Sequence, residues 1–93
     1  MSRSQSLTNR TITLSLIGVG GKEYQQLKHL LVSIRPNLSF PIHVNEISDV
    51  DEILSYGIGR TPALAIRDQI VLEGDIPEEQ QLIELLENIL QSN

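Results

Sequence analysis

The sequence contains no cysteine, and this absence excludes several kinds of chemistry. Structural disulfides, thiolate nucleophiles, and zinc or iron–sulfur sites held by thiolates all need a cysteine sulfur. The histidines offer no replacement, because His29 and His43 lie far apart in the sequence and no third ligand is spaced with either. We therefore expect no metal site and no cofactor.

Aromatic residues, basic charge and long apolar runs are also scarce. Tyr24, Phe40 and Tyr56 are the only aromatic residues, so leucine, isoleucine and valine must form most of the core. A net charge of −5 with so few aromatic side chains argues against nucleic-acid binding. No apolar run approaches the ~20 residues that span a bilayer, so we expect no contact with a membrane.

The N-terminal residues 1–9 are polar and contain no apolar segment of the kind found in signal peptides. We expect them to form a disordered tail. The remaining chain, residues 10–91, is long enough for one domain with a modest core. Without a recognisable targeting signal, the expected location is the cytoplasm.

Four segments have the hydrophobic pattern of β-strands. Apolar residues alternate with polar ones in 11–17 and again in 40–47. The segment 62–66 is apolar throughout, which is typical of a strand covered on both faces. Residues 70–72 follow so closely that they predict a hairpin with it.

Three segments have helical spacing instead. The first begins at Lys22 and the second is a short segment that Ser48 or Asp49 can cap. The third follows Asp75 and Glu78, which are separated as in a capping box. The predicted order is β-α-β-α-β-β-α, an α/β fold in which helices cover both faces of a four-stranded mixed sheet.

This order resembles the thioredoxin core, and the resemblance is most specific in the second half. The stretch Tyr-Gly-Ile-Gly-Arg-Thr-Pro-Ala-Leu-Ala-Ile at 56–66 looks like the helix end, loop, Thr-Pro pair and buried strand of that family. Gly74, Pro77 and the leucine-rich last helix look like its ending. The pattern covers 11–90 and is similar to the small archaeal and bacterial thioredoxin-like proteins called redox-active disulfide proteins. It implies a three-layer α/β/α thioredoxin-like domain.

The chain departs from that family at the redox centre. Family members place a Cys-x-x-Cys motif after an Ile/Leu-Gly-x-Gly turn, and here that turn is the Ile-Gly-Val-Gly of residues 17–20. Gly21 and Tyr24 therefore stand where the two cysteines would be. Neither glycine nor a phenol can carry out thiol–disulfide exchange. We expect no catalytic residues and no oxidoreductase activity.

The other half of the family's site is retained in the sequence. The resemblance implies that Pro62 follows a cis peptide bond, and that the backbone of Thr61 offers its N–H and C=O to an extended peptide. We therefore predict a redox-inactive domain that binds a protein or peptide partner non-covalently through the former active-site face. The predicted binding residues are Gly20, Gly21, Lys22, Tyr24, Arg60, Thr61 and Pro62.

An alternative is a small-ligand binder, or an enzyme of unknown reaction, at the same place. The Gly-rich segment 18–22 matches neither a Walker motif nor a dinucleotide-binding fingerprint. The free amides at the start of the first helix still favour anions. With Lys22 and Arg60 beside them, they would form a pocket for a carboxylate or a glutathione-like ligand. A weak homodimer is also left open.

Overall fold

A computed structural model describes residues 11–91. The predicted element order is confirmed. The strands are β1 (Ile12–Ile17), β2 (Ile42–Ile47), β3 (Ala63–Ile66) and β4 (Gln69–Glu73). The helices are α1 (Lys22–Ile34), α2 (Val50–Ser55) and α3 (Glu79–Gln91), and a short 3-10 turn, Arg35–Asn37, follows α1. The expected tail at 1–9 lies outside the described residues.

The four strands form one mixed sheet in the order β2-β1-β3-β4. β1 and β2 run parallel, with Ile12 opposite Ile42, while the other neighbouring pairs are antiparallel. The parallel pair is joined through α1, because parallel neighbours need a crossover connection. β3 and β4 are joined through Arg67 and Asp68, which both have positive φ (53° and 65°). Such a pair of residues is typical of the two-residue turns that favour hairpins.

The main core lies between one face of the sheet and the helices α1 and α3. Alternate β1 residues, Leu14 and Leu16, are completely buried there. The helices contribute residues spaced by three or four positions, which places them on one side of each helix. They are Leu27, Leu31 and Ile34 from α1, and Leu82 and Leu86 from α3.

The second face of the sheet is covered only in part, although helices were expected to bury both faces. α2 has six residues, so it is only about 9 Å long. It covers a smaller cluster through Ile53, its one buried residue, whereas Leu54 is 66% exposed. Thr13, His43 and Asn45 on the sheet remain exposed.

The capping interactions at two helix starts differ from the sequence prediction. α3 begins at Glu79, where the side-chain oxygen of Gln81 accepts the N–H of Glu78 at 3.0 Å. The capping pair at this helix start is therefore Glu78 and Gln81. Asp75, which was predicted to cap the helix, lies beside the side chain of Arg60 instead. At α2 the N-cap residue is Asp49, but its side chain makes no capping hydrogen bond.

Candidate functional site

The glycine loop, residues 18–21, joins β1 to α1. Gly20 and Gly21 have φ of 100° and 101°, and ψ of Gly21 is 179°. This backbone region is essentially reserved for glycine. A Cβ at either position would meet no other atom within 4 Å, so conformation and not space requires glycine there. An L-cysteine at residue 21 would therefore be strained in the loop as it stands.

Tyr24 lies in the first turn of α1 and is only 6% exposed. Its ring packs against Gly18, where a Cβ would come within 2.9 Å of the tyrosine Cδ1. That same Cβ would lie 3.7 Å from the Cα of Pro62. Gly18 therefore lies close to both Tyr24 and Pro62, and its lack of a side chain provides the room that the ring occupies.

At the end of the ring, the hydroxyl of Tyr24 donates a hydrogen bond to Glu46 on the edge strand β2. Lys28, one helical turn beyond Tyr24, places its Nζ 3.1 Å from the other carboxylate oxygen of Glu46. Burial, the hydrogen bond to Glu46 and its negative charge raise the pKa of Tyr24 to about 12. Hydrogen bonds from Tyr24 and Lys28 lower the pKa of Glu46. Tyr24 is therefore a neutral donor that ties α1 to β2.

The threonine-proline loop, residues 57–62, forms the other side of the site. The peptide bond between Thr61 and Pro62 is cis. Thr61 is exposed, and neither its N–H nor its C=O takes part in a hydrogen bond within residues 11–91. Pro62 is buried, and its carbonyl accepts the N–H of Gly74 at 2.8 Å. The loop thus exposes one residue whose two backbone polar groups are uncommitted.

The start of the same loop is held by a single carboxylate. Glu73, at the end of β4, accepts the N–H groups of Gly59 and Arg60 at 2.7 and 3.1 Å. The sequence prediction did not include this residue. The only sequence feature that could have indicated Glu73 is its position immediately before Gly74, at the end of the second strand after the Thr-Pro pair.

Arg60 is turned towards the chain after β4. Its side chain lies over Gly74, where a Cβ would come within 2.7 Å of the guanidinium. Its Nη2 atom is 3.7 Å from Asp75, with both side chains mostly exposed. The predicted anion pocket combined Arg60 with Lys22, which is exposed at the start of α1. That pocket stays a prediction, and the position of the guanidinium beside Asp75 does not favour it.

The structure brings the two predicted halves together at Gly18, which lies close to both Tyr24 and Pro62. Gly20, Gly21 and Lys22 lie on the exposed side of the glycine loop. Gly18 and Glu46 were missed by the sequence reasoning. The spacing of Tyr24 and Lys28 on one helix face was the available signal for a shared partner, but it could not say which strand supplied it.

Other sites of chemistry are not evident in the described part of the chain. Within 11–91, no group of three histidine, aspartate or glutamate side chains could hold a metal ion. None of the helices described is long and apolar enough to cross a membrane. A cavity of about 400 Å³ lies at the other end of β1, between Ile12, Phe40 and Leu90.

Comparison with known proteins agrees with this architecture. The family model of the thioredoxin domain matches residues 13–87, and the chain belongs to that family. It is a thioredoxin-like domain without cysteine. A search of curated proteins found no match.

Proposed function

We propose that this domain binds an extended segment of a protein partner, without covalent chemistry, through the former active-site face. The binding residues would be Gly20, Gly21, Lys22, Tyr24, Arg60, Thr61 and Pro62. Thiol–disulfide exchange requires a thiolate, and the chain has no cysteine. The interaction would therefore rest on backbone pairing and surface contact.

The observation that carries the proposal is the state of Thr61. An exposed residue with an unused N–H and an unused C=O can pair with one residue of an incoming extended chain, as at the edge of a sheet. Three neighbouring backbone groups are already occupied, since Glu73 accepts the N–H groups of Gly59 and Arg60, and the carbonyl of Pro62 accepts the N–H of Gly74. Thr61 is thus the natural pairing point of this loop.

The facing glycine loop is suited to the close approach of another chain. Gly20 and Gly21 have no side chains, and the space where a Cβ would lie is open at both. An incoming backbone can therefore come nearer to this loop than to one with side chains. The ring of Tyr24 packs against Gly18 of this loop. Its hydroxyl is hydrogen-bonded to Glu46, which fixes the position of the ring.

Selection from a library of random dodecapeptides displayed on phage tests the proposal. Selected peptides are then titrated into the ¹⁵N-labelled protein and followed by NMR. We expect the amide signals of Gly20, Gly21 and Thr61 to shift most. A library that yields no binder, or binders that shift only signals elsewhere, would contradict the proposal.

Two altered proteins separate backbone pairing from side-chain contact at Thr61. Thr61→Ala keeps both backbone groups, so the selected peptide should bind it nearly as well as it binds the natural chain. A synthetic protein with an ester in place of the amide between Arg60 and Thr61 keeps the side chain but lacks the N–H. It should bind the peptide more weakly, by about fivefold to tenfold for one hydrogen bond.

The absence of redox chemistry has its own test. The natural chain should give no turnover in an insulin-reduction assay with dithiothreitol, beyond the rate of dithiothreitol alone. Measurable acceleration would show that a thiol is not needed and would overturn this part of the proposal.

A further inference from the structure

The geometry points to Glu73 as a positioning residue for the peptide-binding loop, an inference that rests on the proposed function. Glu73 would not touch the partner. Its carboxylate would hold the backbone before Thr61 in the shape that accepts an extended chain. The residue lies outside the glycine loop and the Thr-Pro pair.

The contacts of Glu73 are unusually concentrated for an exposed side chain. One oxygen atom, Oε2, accepts the N–H of Gly59 at 2.7 Å and that of Arg60 at 3.1 Å. Hydrogen bonds to an ionised acceptor are stronger than those between neutral groups. Two successive peptide units of the threonine-proline loop are therefore oriented by one atom.

The backbone of Glu73 is held in place because the residue belongs to the sheet, at the end of β4. It lies opposite Ala63 in the antiparallel pairing of β3 with β4, and Ala63 is fully buried. The next residue, Gly74, donates its N–H to the carbonyl of Pro62. The loop is thus attached to β4 on both sides of Thr61, which is left as the free residue between two fixed points.

Because the loop is already held in shape, binding a partner should cost less conformational entropy. A flexible loop must give up conformational freedom before it can pair with a partner. Its apparent affinity falls in proportion to the fraction of molecules that already hold the right shape. By fixing the two peptide units before Thr61, Glu73 would keep that fraction high.

The test compares Glu73→Ala, Glu73→Gln and Glu84→Ala with the natural chain. Glutamine keeps an oxygen that can accept both N–H groups, so it separates hydrogen bonding from charge. Glu84 lies on α3 and bonds only the exposed amide of Gln80, at 3.2 Å, so its variant is matched for the loss of charge. The measurements are the Kd of a library-selected dodecapeptide, amide exchange without peptide, and the urea midpoint.

We expect Glu73→Ala to raise the Kd by about tenfold, as when only about a tenth of the molecules hold the right loop shape. Amide exchange at Gly59 and Arg60 should accelerate, while Leu64 in β3 keeps its protection. Glu73→Gln should recover most of the affinity, and Glu84→Ala should match the natural chain.

Three outcomes would overturn the inference. If Glu73→Ala binds the peptide as well as the natural chain does, Glu73 does not position the loop, and the proposed function still stands. If Glu73→Ala loses protection throughout the sheet, its role is structural stability alone. If the natural chain enriches no peptide at all, the proposed function fails and this inference fails with it.

Discussion

The glycine loop and the threonine-proline loop are the two halves of the predicted binding site, and they differ in how their backbones are held. The glycine loop lacks the cysteines, and its backbone at Gly21 has a φ of 101° that disfavours any L side chain. The threonine-proline loop keeps the Thr-Pro pair and is held to β4 at several points, including Glu73. The glycine loop thus contains no thiol, whereas the threonine-proline loop is held by several hydrogen bonds.

Tyr24, at the position predicted for the second cysteine, is buried against Gly18 and bonded to Glu46. The residue is therefore part of the packing. The predictions that follow test this division, starting with the largest expected effect.

Removing the ring of Tyr24 should have the largest effect on stability. Tyr24→Ala leaves a cavity beside Gly18 and removes the hydrogen bond to Glu46, so we expect the free energy of unfolding to fall by about 3 kcal/mol. Urea denaturation measures it. The matched control is Tyr56→Ala, because Tyr56 is only half-buried and packs on the smaller cluster. An equal or larger loss for Tyr56→Ala would show that Tyr24 has not become a core residue.

Adding a side chain at Gly21 should have the next largest effect. Gly21→Cys and Gly21→Ala should each destabilise the domain by about 1–3 kcal/mol, because both force an L side chain into a region reserved for glycine. The two losses should be equal, since only the Cβ matters. A synthetic chain with D-alanine at residue 21 is the control, because its mirrored preference matches the loop. If D-alanine costs as much as L-alanine, backbone strain is not the reason.

The smallest effect concerns the hydroxyl of Tyr24. Tyr24→Phe should lower the free energy of unfolding by about 1 kcal/mol near neutral pH, since the ring stays in place. The pKa of Tyr24 rises from its ordinary 10 to about 12 on folding, so the folded state binds this proton more tightly. The natural chain should therefore lose stability as the pH rises from about 10 towards 12.

Urea denaturation at pH 9 and pH 11 measures this loss. Tyr24→Phe lacks the titrating group, so its stability should fall less over that interval, and the difference between the two proteins should narrow. Equal slopes in both proteins would show that other groups cause the alkaline instability.

At acid pH the same contact predicts a second change. The pKa of Glu46 is lowered by its hydrogen bonds from Tyr24 and Lys28. The contribution of Glu46 to the free energy of unfolding is therefore complete above its ordinary pKa of 4.5. That contribution is lost as the pH falls through the lower folded value. The phenylalanine variant should lose less stability than the natural chain over this acid range.

The fold was largely predictable because its signals are local. Each signal depends on neighbours a few residues away. The signals were the alternation in β1, the apolar run of β3 and the helical spacing in α1. The element order and the burial of β3 on both faces followed from them. The failures were at short or irregular elements. Helices were expected to cover both faces of the sheet, but α2 has only six residues and leaves part of the second face exposed.

The candidate site was predictable only in part, because its supporting contacts join distant segments. Gly21 and Tyr24 could be placed from their spacing after the glycine turn. Nothing local indicated that Tyr24 would bond Glu46, which is 22 residues away. The contact of Glu73 with Gly59 spans 14 residues. Such partners depend on the register of the strands, and a one-residue shift would turn each side chain to the other face.

The sequence by itself determined that this domain has no thiol chemistry, since a missing thiol cannot be supplied by any fold. It also determined the order of the elements, because hydrophobic periodicity is a property of neighbouring residues. Only the tertiary structure decided the surroundings of Gly21 and Tyr24. The packing of α1 against the sheet placed the ring of Tyr24 against Gly18, which also lies close to Pro62. The pairing of β3 with β4 placed Glu73 beneath the loop that leaves Thr61 free.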